Sequence, residues 1–259
     1  LGILHEGKVV AGAELDAIGD MELERMVMDI DVYARVSPAH KLRVVTALQK
    51  RGATVAMTGD GVNDAPALVR ANVGVAMGIT GTEVAKEAAK IIITDDNFAT
   101  IVKAVSEGRL VYQNIKKTIL FLFSTSGAEC VVLFLALILG YPPPFSAVQI
   151  LWNNLVTEGI ITVNLIMESL EGDEMQRPPI PPNEPLLTRA LRNRMFLMIP
   201  TISACSLGWF IYRSSTGAPF PLVRSETFTL LVVCEWFNVL NCRSETRSVL
   251  RLSLLKNPW

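Results

Sequence analysis

Four long apolar stretches fill the second half of the chain and restrict most strongly what it can fold into. They span residues 118–140, 145–167, 194–213 and 225–242, and polar loops join them. A helix needs about 20 mostly apolar residues to cross a bilayer, and each stretch approaches or exceeds that length. We therefore predict an integral, multi-pass membrane protein whose lipid-embedded part is an all-α bundle of four helices. The alternative is a soluble core of buried helices.

Composition and charge agree with this prediction. The chain of 259 residues is 50% hydrophobic and 19% charged, with a net charge of −1, whereas an average soluble domain is about 25% charged. No basic patch forms, so we expect no nucleic acid partner. Arginine and lysine gather before the first stretch, between the second and third, and after the fourth, which predicts that these segments are cytosolic.

The first part of the chain has the pattern of an α/β domain. Ser37 and Pro38 predict the start of a helix that ends at Gly52, since serine caps helices and proline fits their first turn. Short apolar runs, TVAMT, VGVAM and KIIIT, alternate with amphipathic stretches. This alternation predicts a parallel sheet. We assign residues 1–107 to this domain and residues 108–259 to the membrane part.

A glycine-rich loop, MTGDGVNDAPAL, follows the first of these predicted strands. Ligands of open α/β sheets bind at the carboxyl ends of strands. Asp60 and Asp64, with Asn63 between them, offer hard oxygen ligands, which favours Mg²⁺. By itself, such a loop is equally compatible with an ordinary solvated turn.

Other residues suit an anion near these carboxylates. Gly59 and Gly61 allow the backbone to approach a ligand closely, and Thr58 precedes them. Lys41 lies in the first turn of the helix that begins after Ser37, where both the ammonium and the helix dipole favour a phosphate.

Three carboxylates lie in the interior of the apolar stretches, namely Glu129, Glu158 and Glu235. Ionisable residues within membrane helices are costly and mark candidate functional sites. Asn154 and Thr157 are spaced to share one α-helical face with Glu158. Ser126 precedes Glu129 by one turn, and Asn238 follows Glu235 at i+3. Ser126 and Asn238 are equally compatible with interhelical hydrogen bonds, and Glu235 with a structural carboxyl. If these oxygens converge, they form a site for a hard cation such as Ca²⁺.

The loop and its neighbours resemble a known family. TGDGVNDAPAL resembles the hinge motif of P-type ATPases, which are haloacid-dehalogenase-like phosphotransferases, and ARVSPAHK resembles their segment with the phosphate-binding lysine. DDNFATIVKAVSEGR resembles the stretch that leads into their fifth membrane helix. LWNNLVTEG is similar to LWVNLVTDG of calcium pumps of the sarcoplasmic-reticulum type, and SGAE and CEWFNVLN resemble their fifth- and eighth-helix segments.

The resemblance implies a type II cation pump driven by ATP through an aspartyl-phosphate intermediate. It implies that Lys41 contacts the phosphoryl group, that Asp60 binds Mg²⁺, and that Asn63 and Asp64 support metal and phosphate. The implied ligands of the transported cation are Glu129, Asn154, Thr157, Glu158 and Glu235, with Ser126 in place of an asparagine. The sequence departs from the calcium-pump pattern at Glu158, which replaces an aspartate, and at Ser126.

The motifs DKTGT and TGE, and any segment for a nucleotide-binding domain, do not occur in this sequence. We therefore expect a C-terminal fragment that is inactive alone, and that belongs to a calcium pump of a prokaryotic plasma membrane. The alternatives are a pump for Na⁺, K⁺, H⁺ or Mn²⁺, a non-catalytic membrane protein with a vestigial phosphotransferase fold, and a membrane-tethered phosphatase. The last would not explain three intramembrane carboxylates.

Overall fold

A computed structural model describes residues 7–170, 172–181 and 183–244. The chain divides into two compact units, Leu1–Ala104 and Val105–Trp259. The division falls inside a single long helix, as does the boundary at residue 107 that the sequence predicts. The assignment of a domain to each side of that boundary remains a prediction.

The first unit begins with a small parallel pair of strands that the sequence analysis did not predict. Strand β1 pairs with β2 in parallel, and Val9 lies opposite Val32. Leu15, Leu23 and other apolar side chains form a buried cluster beneath the pair. The elements are β1 (Lys8–Ala11), α1 (Gly12–Ala17), α2 (Asp20–Met26), a 3₁₀ turn (Val27–Asp29) and β2 (Ile30–Ala34).

A three-stranded parallel sheet follows, in the order β3-β4-β5. Parallel neighbours require crossover connections, and α4 and α5 provide them. The predicted parallel sheet is thus confirmed. Its elements are α3 (Pro38–Lys50), β3 (Ala56–Gly59), a 3₁₀ turn (Val62–Asp64), α4 (Ala65–Arg70), β4 (Val73–Met77), α5 (Glu83–Ala88) and β5 (Ile91–Ile93).

Helix α3 begins and ends where its sequence predicts. The Ser37 hydroxyl accepts a hydrogen bond of 3.3 Å from the backbone N–H of His40, which satisfies an otherwise unpaired donor of the first turn. Gly52 follows the helix at φ 85°, a conformation that glycine adopts at little cost. This start fixes Lys41 in the first turns of α3.

Among the residues that the structure describes, all the regular elements of the second unit are helical. Phe121, Leu165 and Met198 belong to one buried apolar cluster, which joins α6, α8 and α9. A second cluster includes Val132, Phe210 and Leu231 and joins α6, α9 and α10. The elements are α6 (Phe98–Ile138), α7 (Ala147–Trp152), a π-helical turn (Asn153–Glu158), α8 (Gly159–Ile166), a 3₁₀ turn (Glu174–Gln176), α9 (Arg189–Ser215) and α10 (Phe220–Cys242).

Two helices of the described part, α6 and α9, are long and apolar enough to cross a membrane. The predicted span 145–167 is divided by the π-helical turn into α7, the turn itself and α8, which are 6, 6 and 8 residues long. Helix α10 carries Arg224, Glu226 and Glu235, which lower its apolar character. Two of the four predicted spans therefore have the length and composition of a membrane helix, and the other two remain predictions.

Candidate functional site

A cavity of about 420 Å³ lies at the carboxyl end of β3, within the first unit. Five of the residues that the sequence predicted for the phosphate and metal site line it, while Asn63 and Gly61 do not. The lining residues are Lys41, Thr58, Gly59, Asp60, Asp64, Met77, Thr80, Asp96 and Phe98. The parallel sheet thus brings the lysine of α3 and both aspartates of the loop to one place.

Lys41 and Asp64 form the central contact of this cavity. The Lys41 Nζ donates to Asp64 Oδ1 at 2.5 Å, and the Asp64 side chain is 8% exposed whereas that of Lys41 is 33% exposed. A Cβ atom at Gly59 would lie 2.5 Å from the Asp64 Cβ, so glycine is required for Asp64 to approach the strand. The lysine that the resemblance assigns to the phosphoryl group therefore holds a carboxylate in this structure.

Asp60 lies at the open side of the same cavity. It is exposed, as is Asn63, and its backbone carbonyl accepts a hydrogen bond of 2.8 Å from the N–H of Thr82. Its carboxylate can therefore meet a ligand from solvent while its backbone is fixed. Carboxylate oxygens suit Mg²⁺, and because Asp64 already has a lysine partner, Asp60 is the more available ligand.

Sequence reasoning missed Asp96, which also lines the cavity. Its carboxylate accepts hydrogen bonds from the N–H of Ile79 at 3.0 Å and the N–H of Thr80 at 2.7 Å, and from the Thr80 hydroxyl at 2.8 Å. These bonds, that from Ile79 first, lower the pKa of Asp96 to about 2. Asp96 itself adopts φ 49°, which is unusual for a residue other than glycine. No motif in the sequence indicates this role.

The second group of predicted residues surrounds the π-helical turn in the second unit. Asn153, Thr157 and Glu158 are buried there, whereas Asn154 is exposed. A π-helical turn contains more residues than an α-helical one, so the buried side chains recur at i, i+4 and i+5. The α-helical spacing that placed Asn154 with Thr157 and Glu158 does not describe this backbone.

Asn153 joins two of the three predicted carboxylates. Its Nδ2 donates to Glu129 Oε1 at 2.8 Å and to Glu235 Oε1 at 3.1 Å. Asn153 and Glu235 are 0% exposed and Glu129 is 4% exposed. Glu158 is also buried. The structure thus brings Glu129 and Glu235 together through a residue that the sequence analysis did not select.

Three oxygen atoms in this region have no hydrogen-bond partner among the described residues: Asn153 Oδ1, Glu158 Oε1 and Glu235 Oε2. A buried acceptor without a partner costs roughly 1–3 kcal/mol, and such atoms in native structures call for an explanation such as an ion. In the described ranges, no three His, Cys, Asp or Glu side chains are close enough to hold a metal ion. Any cation site here must therefore include amide, hydroxyl or backbone oxygens.

The remaining polar residues of these helices have different surroundings. Asn238 donates to the hydroxyl of Ser124 at 2.8 Å, which is the interhelical hydrogen bond that the sequence allowed as one reading. Ser124 is 0% exposed, and Ser126 is only half-buried. The structure therefore places Ser124, rather than Ser126, in contact with α10.

Comparison with known proteins identifies the family. Residues 142–259 match the family described as "Cation transporting ATPase, C-terminus", and residues 8–72 match the family described as "haloacid dehalogenase-like hydrolase". The chain is 46% identical over 98% of its length to the probable cation-transporting ATPase F of Mycobacterium tuberculosis. It is 45% identical over 93% of its length to the calcium-transporting ATPase of Bacillus subtilis. Residues 142–259 thus match the C-terminal family of cation-transporting ATPases, and nearly the whole chain is similar to such proteins.

This family assignment confirms the resemblance to P-type ATPases that the sequence motifs indicated. The similarity extends to a eukaryotic relative, the calcium-transporting ATPase type 2C member 1 of Pongo abelii, at 40% identity over 96% of this chain. The chain spans 27–28% of the length of these three relatives.

Proposed function

We propose that this chain is part of an ATP-driven cation pump that works through an aspartyl-phosphate intermediate. The observation that carries the proposal is the presence of two distinct polar groups on one chain. One is the cavity with Lys41, Asp60 and Asp64, and the other is the buried group that Asn153 organises. In this proposal residues 1–107 belong to the phosphorylation domain and residues 108–259 to the membrane domain.

The cavity of the first unit serves phosphoryl transfer. Asp60 and Asp64 hold Mg²⁺, which when bound neutralises charge on the phosphoryl oxygens. Lys41 reaches both Asp64 and the phosphoryl group, and Asn63 supports the metal and phosphate from the loop. Thr58, Gly59 and Gly61 keep the loop backbone close to the anion. The nucleophile and the nucleotide site belong to the remainder of the pump, so we expect no ATP hydrolysis by the 259-residue chain alone.

The helices of the second unit cross the membrane four times in this proposal. Helices α6 and α9 have the required length and composition. The other two spans contain the features that weaken their apolar character, namely the π-helical turn and the charges of α10. A cation site requires such polar features within a bilayer. The membrane is the plasma membrane of a prokaryote.

The transported cation binds at the buried oxygen group. Glu129, Thr157, Glu158 and Glu235 supply ligands, and Asn154 and Ser126 supply further ones from the exposed and half-buried sides of their helices. Hard oxygens favour Ca²⁺, and relatives of this chain are named calcium-transporting ATPases. We therefore propose Ca²⁺ as the transported ion.

The test is ion activation of phosphorylation in the full-length protein. Ca²⁺, Mn²⁺ and Na⁺ are titrated against phosphorylation from ATP, and phosphorylation from inorganic phosphate is measured without added ion. Glu158→Gln keeps size but removes charge, so we expect loss of ion activation with phosphorylation from inorganic phosphate retained. Glu226→Gln is the matched control, because its carboxylate pairs with Arg213 at 2.7 Å instead.

Each outcome has a separate meaning. Unchanged ion activation in Glu158→Gln removes Glu158 from the transport site. Activation of the wild type by Na⁺ or Mn²⁺ but not by Ca²⁺ contradicts the choice of Ca²⁺ as the transported ion, but it agrees with the proposal that the protein is a cation pump. Phosphorylation from neither ATP nor inorganic phosphate supports a vestigial phosphotransferase fold.

A further inference from the structure

One buried residue of the second unit has no counterpart in the segment that this chain resembles. LWNNLVTEG contains Asn153 where LWVNLVTDG contains valine. Asn153 is 0% exposed, and burying a polar side chain is unfavourable unless it is hydrogen-bonded. The exchange of valine for asparagine therefore requires a compensating role.

The hydrogen bonds of Asn153 show what that role can be. A carboxamide nitrogen carries two hydrogens, and both are used, one on Glu129 of α6 and one on Glu235 of α10. In each carboxylate the bond is to Oε1. The NH₂ group of Asn153 thus donates a hydrogen bond to one oxygen of each of two carboxylates, which lie on different helices.

Two further oxygen atoms of the group remain unsatisfied. Glu235 Oε2 and Asn153 Oδ1 are buried without a partner among the residues that the structure describes. Asn153 therefore fixes the orientation of the carboxylates without using up their oxygens. Residues that hydrogen-bond a metal's ligands orient those ligands and raise the affinity for the metal.

We propose that Asn153 is a positioning residue for the transported cation, an inference that rests on the proposed function. Its NH₂ group holds Glu129 and Glu235 through their Oε1 atoms and leaves Glu235 Oε2 and its own Oδ1 to the cation. It also stabilises two neighbouring buried carboxylates in the absence of the ion.

Asn238 provides a matched comparison within the same helices. It is also a buried asparagine that bridges α10 and α6, but its acceptor is the Ser124 hydroxyl and not a carboxylate. Replacing Asn238 by valine removes one interhelical hydrogen bond, whereas replacing Asn153 by valine removes two. Only the replacement of Asn153 releases the carboxylates.

The experiment measures the Ca²⁺ concentration for half-maximal phosphorylation from ATP in the full-length protein. For Asn153→Val we expect that concentration to rise by about tenfold or more, as for other residues that orient metal ligands. Phosphorylation from inorganic phosphate should remain at the wild-type level. Asn238→Val should leave the Ca²⁺ dependence unchanged. Asn153→Gln keeps the carboxamide but displaces it by one methylene, so its Ca²⁺ dependence should lie between those of the wild type and Asn153→Val.

Two results would overturn the inference. The first is a wild-type Ca²⁺ dependence in Asn153→Val with phosphorylation from inorganic phosphate retained. The second is an equal rise in Asn153→Val and Asn238→Val, which would reduce Asn153 to a packing contact. If Asn153→Val does not fold, Asn153→Gln decides, because an unchanged Ca²⁺ dependence there would also overturn the inference. Failure of the proposed function is distinguishable, because the wild type itself would then show no ion activation.

Discussion

The ion pair between Lys41 and Asp64 makes a quantitative prediction about phosphorylation. The resemblance to P-type ATPases implies that Lys41 contacts the phosphoryl group, whereas in this structure its Nζ donates to Asp64 Oδ1. Both roles can belong to one lysine if it holds Asp64 and reaches the phosphate from that position. A double-mutant cycle with Lys41→Met and Asp64→Asn separates the two roles.

The size of the effect follows from the exposure of the two side chains. Unit charges 4 Å apart interact by about 4 kcal/mol at an effective dielectric constant near 20. The Lys41 side chain is 33% exposed, so screening and desolvation reduce the net coupling, to roughly 1–2 kcal/mol. Since about 1.4 kcal/mol corresponds to a tenfold change in rate, the two substitutions should be coupled by about tenfold.

The assay is the rate of phosphoenzyme formation from ATP in the full-length pump. We expect each single variant to be slow and the double variant to be slower than Asp64→Asn alone. The combined loss should still be about tenfold smaller than the product of the single losses. A combined loss equal to that product would refute the ion pair in the working protein. A double variant as fast as Asp64→Asn would refute the contact between Lys41 and phosphate.

Three further predictions concern the loop, its support and the π-helical turn. Asp60→Asn should abolish Mg²⁺-dependent phosphoenzyme formation in a protein that remains folded, and normal phosphorylation would exclude Asp60 as a metal ligand. The pKa of Asp96 is about 2 in the folded state and about 4 in an unfolded chain, so its stabilisation is complete above pH 4 and is lost towards pH 2. Hydrogen exchange should show the backbone N–H groups of Ile79 and Thr80 protected above pH 4. Asp96→Asn should reduce their protection at pH 7, and equal protection in the variant would contradict this. Deletion of the exposed Leu155 should convert the π-helical turn into an α-helical one and reduce ion activation, while phosphorylation from inorganic phosphate is retained; unchanged ion activation in the variant would show that the turn is not required.

Local signals in the sequence sufficed for the start of α3 and for the main sheet of the first unit. Ser37 and Pro38 determine the start of α3 through contacts within four residues, so no distant part of the chain is needed to predict it. The strands β3, β4 and β5 are recognisable because each is a short apolar run between helical segments. Since these elements carry Lys41, Asp60 and Asp64 to one edge of the sheet, the first candidate site was predictable with them.

Asp96 could not be predicted because its role depends on contacts far along the chain. Its carboxylate binds the backbone of Ile79 and Thr80, residues that follow β4, while Asp96 itself follows β5. The two turns become neighbours only when β4 and β5 pair. The sequence contains the aspartate and the threonine but no pattern that connects them. The pairing of β1 with β2 was missed for the same reason, because α1 and α2 separate the strands.

The buried oxygen group of the second unit was only partly predicted, because a periodicity argument for an α-helix was applied to an irregular backbone. Glu129, Glu158 and Glu235 were identified by their charge within apolar stretches, and all three are buried in the structure. Asn154 was chosen over Asn153 because an α-helix would place it beside Glu158. In the π-helical turn Asn153 is buried and Asn154 is exposed. The α-helical spacing of LWNNLVTEG does not indicate this difference.

The irregular turn and the unsatisfied oxygens occur at the same place in the chain, and the coincidence has a physical basis. A π-helical turn weakens regular backbone hydrogen bonding and is frequent at functional sites. Asn153 and Glu158, at the two ends of this turn, each have a buried side-chain oxygen without a described partner. Sequences depart from local rules where function requires it, and a cation bound between these helices would satisfy those oxygens. The departure from α-helical geometry is therefore best understood as part of the site that it positions.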